Sequence, residues 1–187
     1  MSDAITQFLE SLKGRLSPHS LESLNGVLQA IELPQKHCLV RSGQRCNQLF
    51  LLVQGASRSY YHKNGVEVHN WFAFEGELVG SLRNFHGAVS RENIELLEDS
   101  SLIAFDIAAL KELIAHNAEL ATFVQKALIE HGLFLEDRLY DLHMRSAQEK
   151  FETLLRREPE IFRRVPLTYI ASYLGISRET LSRLRSS

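Results

Sequence analysis

Cysteine is scarce in this chain of 187 residues: only Cys38 and Cys46 occur, and their spacing matches neither CxxC nor a zinc-ligand pattern. That argues against a disulfide framework and a thiolate-held metal, and two buried free thiols are expected. Long apolar runs are missing too. None approaches the roughly 20 residues of a membrane-spanning helix. Acidic residues interrupt the start, "MSDAITQFLESLKGRL", where a signal peptide would be apolar. A soluble, cytoplasmic protein without a membrane partner is expected. Positive charge is not in excess either, with 21 Lys and Arg against 23 Asp and Glu and a net charge of −2. That speaks against a surface coated for nucleic acid. Internal repeats and low-complexity tracts are absent. No nucleophile and base are arranged for catalysis, so no enzyme is expected.

What is present is unevenly spread. From Arg145 onward nine Lys and Arg face five Asp and Glu, a surplus of +4, whereas the part before it has 12 against 18. An acidic body with a basic tail suits a protein whose last segment alone meets phosphate.

In "AITQFLESL", Ile5, Phe8, Leu9 and Leu12 recur at three and four residues, which predicts a first helix. Ser17-Pro18 predicts a capped second helix running to about Ile31. From about His37 to Phe105 the period changes. Short apolar runs such as "LFLLVQG", "SRSYYH", "VEVHNWFAF", "NIELLE" and "SLIAFD" are separated by glycines, which indicates an antiparallel barrel or jelly roll. Asn64-Gly65 between two such runs predicts a tight hairpin, since both residues tolerate positive φ. His62, His69 and His86 form no His-x-His pair of the kind metal-binding barrels present, so no metal is expected.

Asp106 is read as the cap of "IAALKELIAHN", and a long helix is predicted from about Glu119 to Met144. There Leu128, Leu135 and Leu142 lie seven apart with Leu139 on the same side, the spacing of a coiled-coil seam. Such a stripe serves either a two-fold dimer or packing against the chain's own barrel. Gly132 within it permits close approach of a partner backbone or a pocket wall. Ser146 to Arg157 is a further amphipathic helix, and a short connector leads to Pro166.

The chain closes with "GISRETLSRLRSS". Counting from Leu167, the apolar positions Ile170, Leu174, Ile176, Leu181 and Leu184 would pack two helices together. Ala171 is small enough for a close crossing, and Gly175 sits where the helices part. Ser177 would cap the second helix and leave Arg178, Glu179, Thr180, Ser182, Arg183 and Arg185 on or near its exposed side. Arg suits guanine O6 and N7, and Glu can accept from cytosine N4. The bland alternative is a helical hairpin whose Arg-Glu pairs only solvate a surface.

With "SRETLSR" in that place, the chain resembles the Crp/Fnr family of bacterial transcription regulators, over essentially its whole length. The resemblance implies an α+β fold: N-terminal helices, an antiparallel β-roll (jelly roll), a long dimerisation helix and a C-terminal helix-turn-helix. It implies a β-roll domain of the cyclic-nucleotide-binding type over 1–116, a dimerisation helix over 117–145 and a DNA-binding domain over 146–187. Arg178, Glu179 and Arg183 would read bases, and Thr180 and Ser182 would meet backbone phosphate. The β-hairpin wing that follows this helix in the family is not in the sequence, so a weaker phosphate grip and a flatter salt dependence are expected.

The family's effector arm pairs a Gly-Glu-Leu element with a later Arg. Gly76, Glu77 and Leu78 match, but "AVSRENI" puts Ser90 where the arginine belongs and Arg91 one place on. In extended chain a one-residue displacement turns a side chain to the opposite face. Arg83 is another candidate anion partner, and Phe134 and Leu135 stand where the family's cyclic-AMP binders use hydroxyls. No cofactor is assigned; a cyclic nucleotide or another small effector is the candidate ligand. The N-terminal cysteine cluster of the family's iron–sulfur branch is missing. The implied partners are double-stranded DNA, a second copy of the chain and a small effector, with RNA polymerase a further candidate. The rival reading is a ligand-sensing or protein-interaction module that does not bind DNA.

Overall fold

Caps and turns set the first helices. The computed structural model describes residues 3–186; the outermost positions of the first and last expected domains lie outside these. Helix α1 spans Asp3–Ser11 and α2 spans Pro18–Asn25, with Ser17 accepting the N–H of Ser20 and proline opening the first turn. Helix α2 ends at Asn25 instead of continuing to Ile31. Leu28–Leu33 is strand β1, antiparallel to a late strand, Ser100–Asp106. The chain turns at Gly26, whose N–H returns to the carbonyls of Glu22 and Leu24, and Leu28 and Ala30 then pack against the core while Gln29 and Glu32 stay exposed.

The remaining strands are β2 (Cys38–Val40), β3 (Gln48–Gln54), β4 (Ser57–Lys63), β5 (Val66–Ala73), β6 (Leu78–Val79), β7 (Asn93–Leu96) and β8 (Ser100–Asp106). With β1 they form two four-stranded sheets, ordered β1-β8-β3-β6 and β2-β7-β4-β5. Asn64 and Gly65 both take positive φ, 52° and 78°, as the turn between β4 and β5 requires. A short helix unforeseen in the sequence, α3 (Leu82–His86), interrupts the strand series. Cys38 and Cys46 are free but half-buried, their thiols turned to the carbonyls of Val40 and Gln48.

Asp106 caps α4 (Ile107–His116) by accepting the N–H of Ala109 at 2.8 Å. Helix α5 then runs Ala118–Met144. Ser146 and Glu149 form a reciprocal capping box at the start of α6 (Ala147–Arg157). The connector holds a short helix, α7 (Ile161–Arg164), before α8 (Leu167–Leu174) and α9 (Arg178–Ser186).

Two compact units result: Met1–Ser59 with Phe72–Ala127, and Tyr60–Trp71 with Leu128–Ser187. In the first, Ile5, Leu12, Leu24, Leu51, Ile103, Phe105 and Leu120 share one buried cluster. Phe8 meets Phe105 edge to face at 5.9 Å. A buried fork from Arg58 to Glu95, at 3.0 and 3.1 Å, ties β4 to β7. In the second, Phe151, Leu154, Ile161, Val165, Ile170, Ala171, Leu174 and Leu181 make the helical core.

Glu119 at the head of α5 is gripped by α2. It accepts from the Ser17 hydroxyl at 2.6 Å, the Ser20 hydroxyl at 2.5 Å and the Ser17 N–H at 2.9 Å. The Ser17 and Ser20 hydroxyls hold its carboxyl below the usual carboxylate range. A group lowered in this way stabilises the fold above its unfolded pKa of about 4.3 and loses that contribution as the pH falls further. Glu119→Gln is therefore expected to lower the thermal midpoint at pH 7, with the gap from the parent closing in circular-dichroism melts below about pH 4.

Candidate nucleic-acid interface and effector arm

In the second unit, the turn between α8 and α9 is made by Gly175 in the left-handed region, φ 67° and ψ 33°. A side chain there would be strained. The N–H of Ile176 returns to the carbonyl of Ala171 at 3.0 Å, and the Ser177 hydroxyl accepts the N–H of Thr180 at 3.1 Å. Ser177 is thus the cap of α9. Leu181 is fully buried, Ile170, Ala171 and Leu174 of α8 are buried too, and the two helices pack together.

With Leu181 inward, Arg178, Glu179, Ser182, Arg183 and Arg185 are exposed. Thr180 is half-buried and its hydroxyl lies 3.2 Å from that of Ser177 and 3.4 Å from an Arg183 nitrogen. Bonds from its own N–H and from Ser177 keep the Glu179 carboxyl below the usual range, so it is an acceptor at neutral pH. One helix therefore presents three guanidinium donors and a carboxylate acceptor on its open side, the chemistry that base edges in a major groove require.

Along α5 the predicted stripe lies open. Leu128, Leu139 and Leu142 are exposed and Leu135 is half-buried. Exposed Ile129, Leu133 and Tyr140 widen the apolar surface. Phe134 lies at the mouth of a cleft shared with Arg138, Asp141, Lys150 and Tyr173.

Arg138 was not singled out by its sequence. Its guanidinium is buried, sits 3.7 Å over the centroid of the Tyr173 ring and donates to the Tyr173 carbonyl. Burial pulls its pKa below the ordinary arginine value. The signal was present, because position 138 falls between Leu135 and Leu142 at the three- and four-residue spacing of the apolar stripe. At the end of α5, Arg145 pairs with Asp141 and donates to Thr153, and Lys150 donates to the carbonyl of Leu142 at 3.1 Å.

In the first unit, Gly76 turns the chain at φ 84°. Glu77 accepts the N–H of Phe74 at 2.7 Å, and Leu78 begins β6 with its side chain exposed. Ser90 is buried, and its hydroxyl donates to the Glu92 carbonyl at 2.9 Å and accepts the Glu92 N–H at 3.1 Å. Arg91 is exposed. Arg83 donates to the Val89 carbonyl at 3.0 Å, drawing α3 against the arm. Among the described residues no group of three or more His, Cys, Asp or Glu is placed to hold a metal ion, and no helix is long and apolar enough to cross a membrane.

A two-sheet β-roll, one long helix and a helix-turn-helix define a class of fold. Residues 30–117 match the cyclic nucleotide-binding domain family, and the chain carries the fold of the Crp/Fnr family of transcription regulators. FixK2 from Bradyrhizobium japonicum superposes with a TM-score of 0.74 at 20% identity, over 86% of this chain and 83% of that one. A regulator assigned to the Crp/Fnr family from Eubacterium rectale gives 0.72 at 17%, over 92% and 83%. A variant of CooA from Carboxydothermus hydrogenoformans gives 0.67 at 20%, over 95% and 82%. No curated protein is significantly similar in sequence.

Proposed function

We propose that the protein is a homodimeric, sequence-specific DNA-binding transcription regulator whose β-roll answers a small effector. The observation that carries this reading is the capped helix α9, with Leu181 anchored inward and Arg178, Glu179 and Arg183 turned outward beside a left-handed turn at Gly175. Thr180, Ser182 and Arg185 supply phosphate contacts. Two copies pair along Leu128, Leu135, Leu139 and Leu142, which offers two α9 helices to major grooves about one helical turn, roughly 34–36 Å, apart. Residues 1–116 then sense, 117–145 pair and 146–187 read, with RNA polymerase the further partner.

Selection of duplexes from a randomised pool by the purified protein tests this. A near-palindromic sequence should emerge; a pool that stays random through successive rounds would sink the reading.

The effector is held without an arginine–phosphate pair at position 90, because the residue there is a serine whose hydroxyl is spent on its own turn. Cyclic AMP is accordingly expected to leave the thermal midpoint unchanged. A clear rise that disappears in Glu77→Ala would show that the arm accepts the nucleotide after all.

A further inference from the structure

Strand β5 is the outermost strand of its sheet, and an outer strand carries backbone groups that need a partner. At the tip of the β4–β5 hairpin that partner comes from α8. The Ser172 hydroxyl accepts the N–H of His69 at 3.0 Å and donates to the carbonyl of Glu67 at 3.2 Å. One side chain thus fills both roles that a neighbouring strand would play. One helical turn earlier on the same face of α8, the Tyr169 ring stacks on the buried His69 imidazole, with centroids 4.4 Å apart and planes 22° from parallel. Tyr60 of β4 lies beyond it, 5.9 Å from the same imidazole. The rest of α8 is committed elsewhere, since Ile170, Ala171 and Leu174 are buried in the helical core. The reading residues of α9 remain exposed while these contacts are made.

We propose that Ser172 and Tyr169 fasten helix α8 to strand β5, and are positioning residues that set the pose in which α9 is offered to DNA. Neither residue need touch DNA. A reader already held in pose has less freedom to lose on binding, so releasing it weakens association even though every base contact remains available. The positioning role rests on the reading of α9 as a DNA-binding helix; the fastening itself does not.

The test uses the full-length chain as Ser172→Ala, Ser172→Thr and Tyr169→Ala, with a duplex selected by the parent protein as probe. Residue-resolved hydrogen exchange is followed at the amides of His69 and Leu181. In Ser172→Ala the His69 amide should exchange about tenfold faster while that of Leu181 is unaltered, which shows α9 still folded. Affinity for the selected duplex should fall about fivefold to tenfold. Threonine keeps the hydroxyl and should restore both, and Tyr169→Ala should weaken binding to a similar degree. Unchanged exchange at His69 in Ser172→Ala would overturn the fastening. Faster exchange with unchanged or tighter DNA binding would overturn the positioning role. If the parent protein selects no duplex, the DNA reading and the positioning role both fall, and the exchange data still decide the fastening.

Discussion

Replacing Arg178 and Arg183 together by alanine is expected to reduce affinity for the selected duplex by at least about thirtyfold, with the dimer and the thermal midpoint unchanged. A bidentate arginine–guanine pair gives about 1–3 kcal/mol of discrimination. Losing two such pairs costs roughly 2–6 kcal/mol, or about thirtyfold to twenty-thousandfold. Stability should shift by no more than about 0.5 kcal/mol, because both side chains are exposed on α9 and the helix is held by Leu181 and the Ser177 cap. Arg178 also sits in the first turn of α9, where a cation is not favoured by the helix dipole. Lysine at both positions sharpens the test. It keeps the charge but loses the planar fork, so binding to unrelated duplex should persist while preference for the selected one disappears. Fluorescence anisotropy at one fixed salt concentration reads both effects. Undiminished preference in the alanine variant would remove α9 from the reading site.

Leu139→Asp with Leu142→Asp should convert the protein from dimer to monomer at micromolar concentration. Within one chain these leucines are 57% and 39% exposed, so a single copy leaves much of their apolar surface uncovered. In a pair of copies each leucine contributes about 1.5–3 kcal/mol of burial, and four are lost at once. The substituted carboxylates would also have to be desolvated in the seam. Sedimentation should give a monomer, and binding to a two-half-site duplex should fall about a hundredfold or more as the second reader loses its effective concentration. A single half-site should bind as before. A variant that still sediments as a dimer would put the seam elsewhere on the chain.

The parts of this architecture that could be read ahead of the structure share one property: they are set by neighbours in sequence. Asn64-Gly65, the Ser17 and Asp106 caps, the seven-residue spacing on α5 and the Gly175 turn all act locally. Strand β1 was misread because Leu21, Leu24, Leu28 and Ile31 recur at helical spacing, and its strand partner β8 lies some seventy residues away. Helices α3 and α7 are each about one turn long, too short to show a period. The exposed face of α9 was legible residue by residue, since one inward leucine determines which side is open. Arg138 was marked only by its place in the apolar stripe, and the Ser172–Tyr169 contacts not at all, because a serine that completes a strand edge depends on what the fold brings beside it.

The chain leaves the first compact unit at Ser59 and returns at Phe72. Dissection by truncation is therefore a poor way to study the parts. A fragment ending before Ser146 keeps the hairpin tip but discards Ser172 and Tyr169, baring the outer strand at Glu67 and His69. A bared strand is a template for pairing with another copy. Such a fragment would tend to self-associate for reasons unrelated to the seam proposed on α5, and its oligomeric state would mislead. Alanines at Arg178 and Arg183 leave the hairpin covered, are expected to silence the proposed reader, and are the cleaner instrument in a genetic experiment.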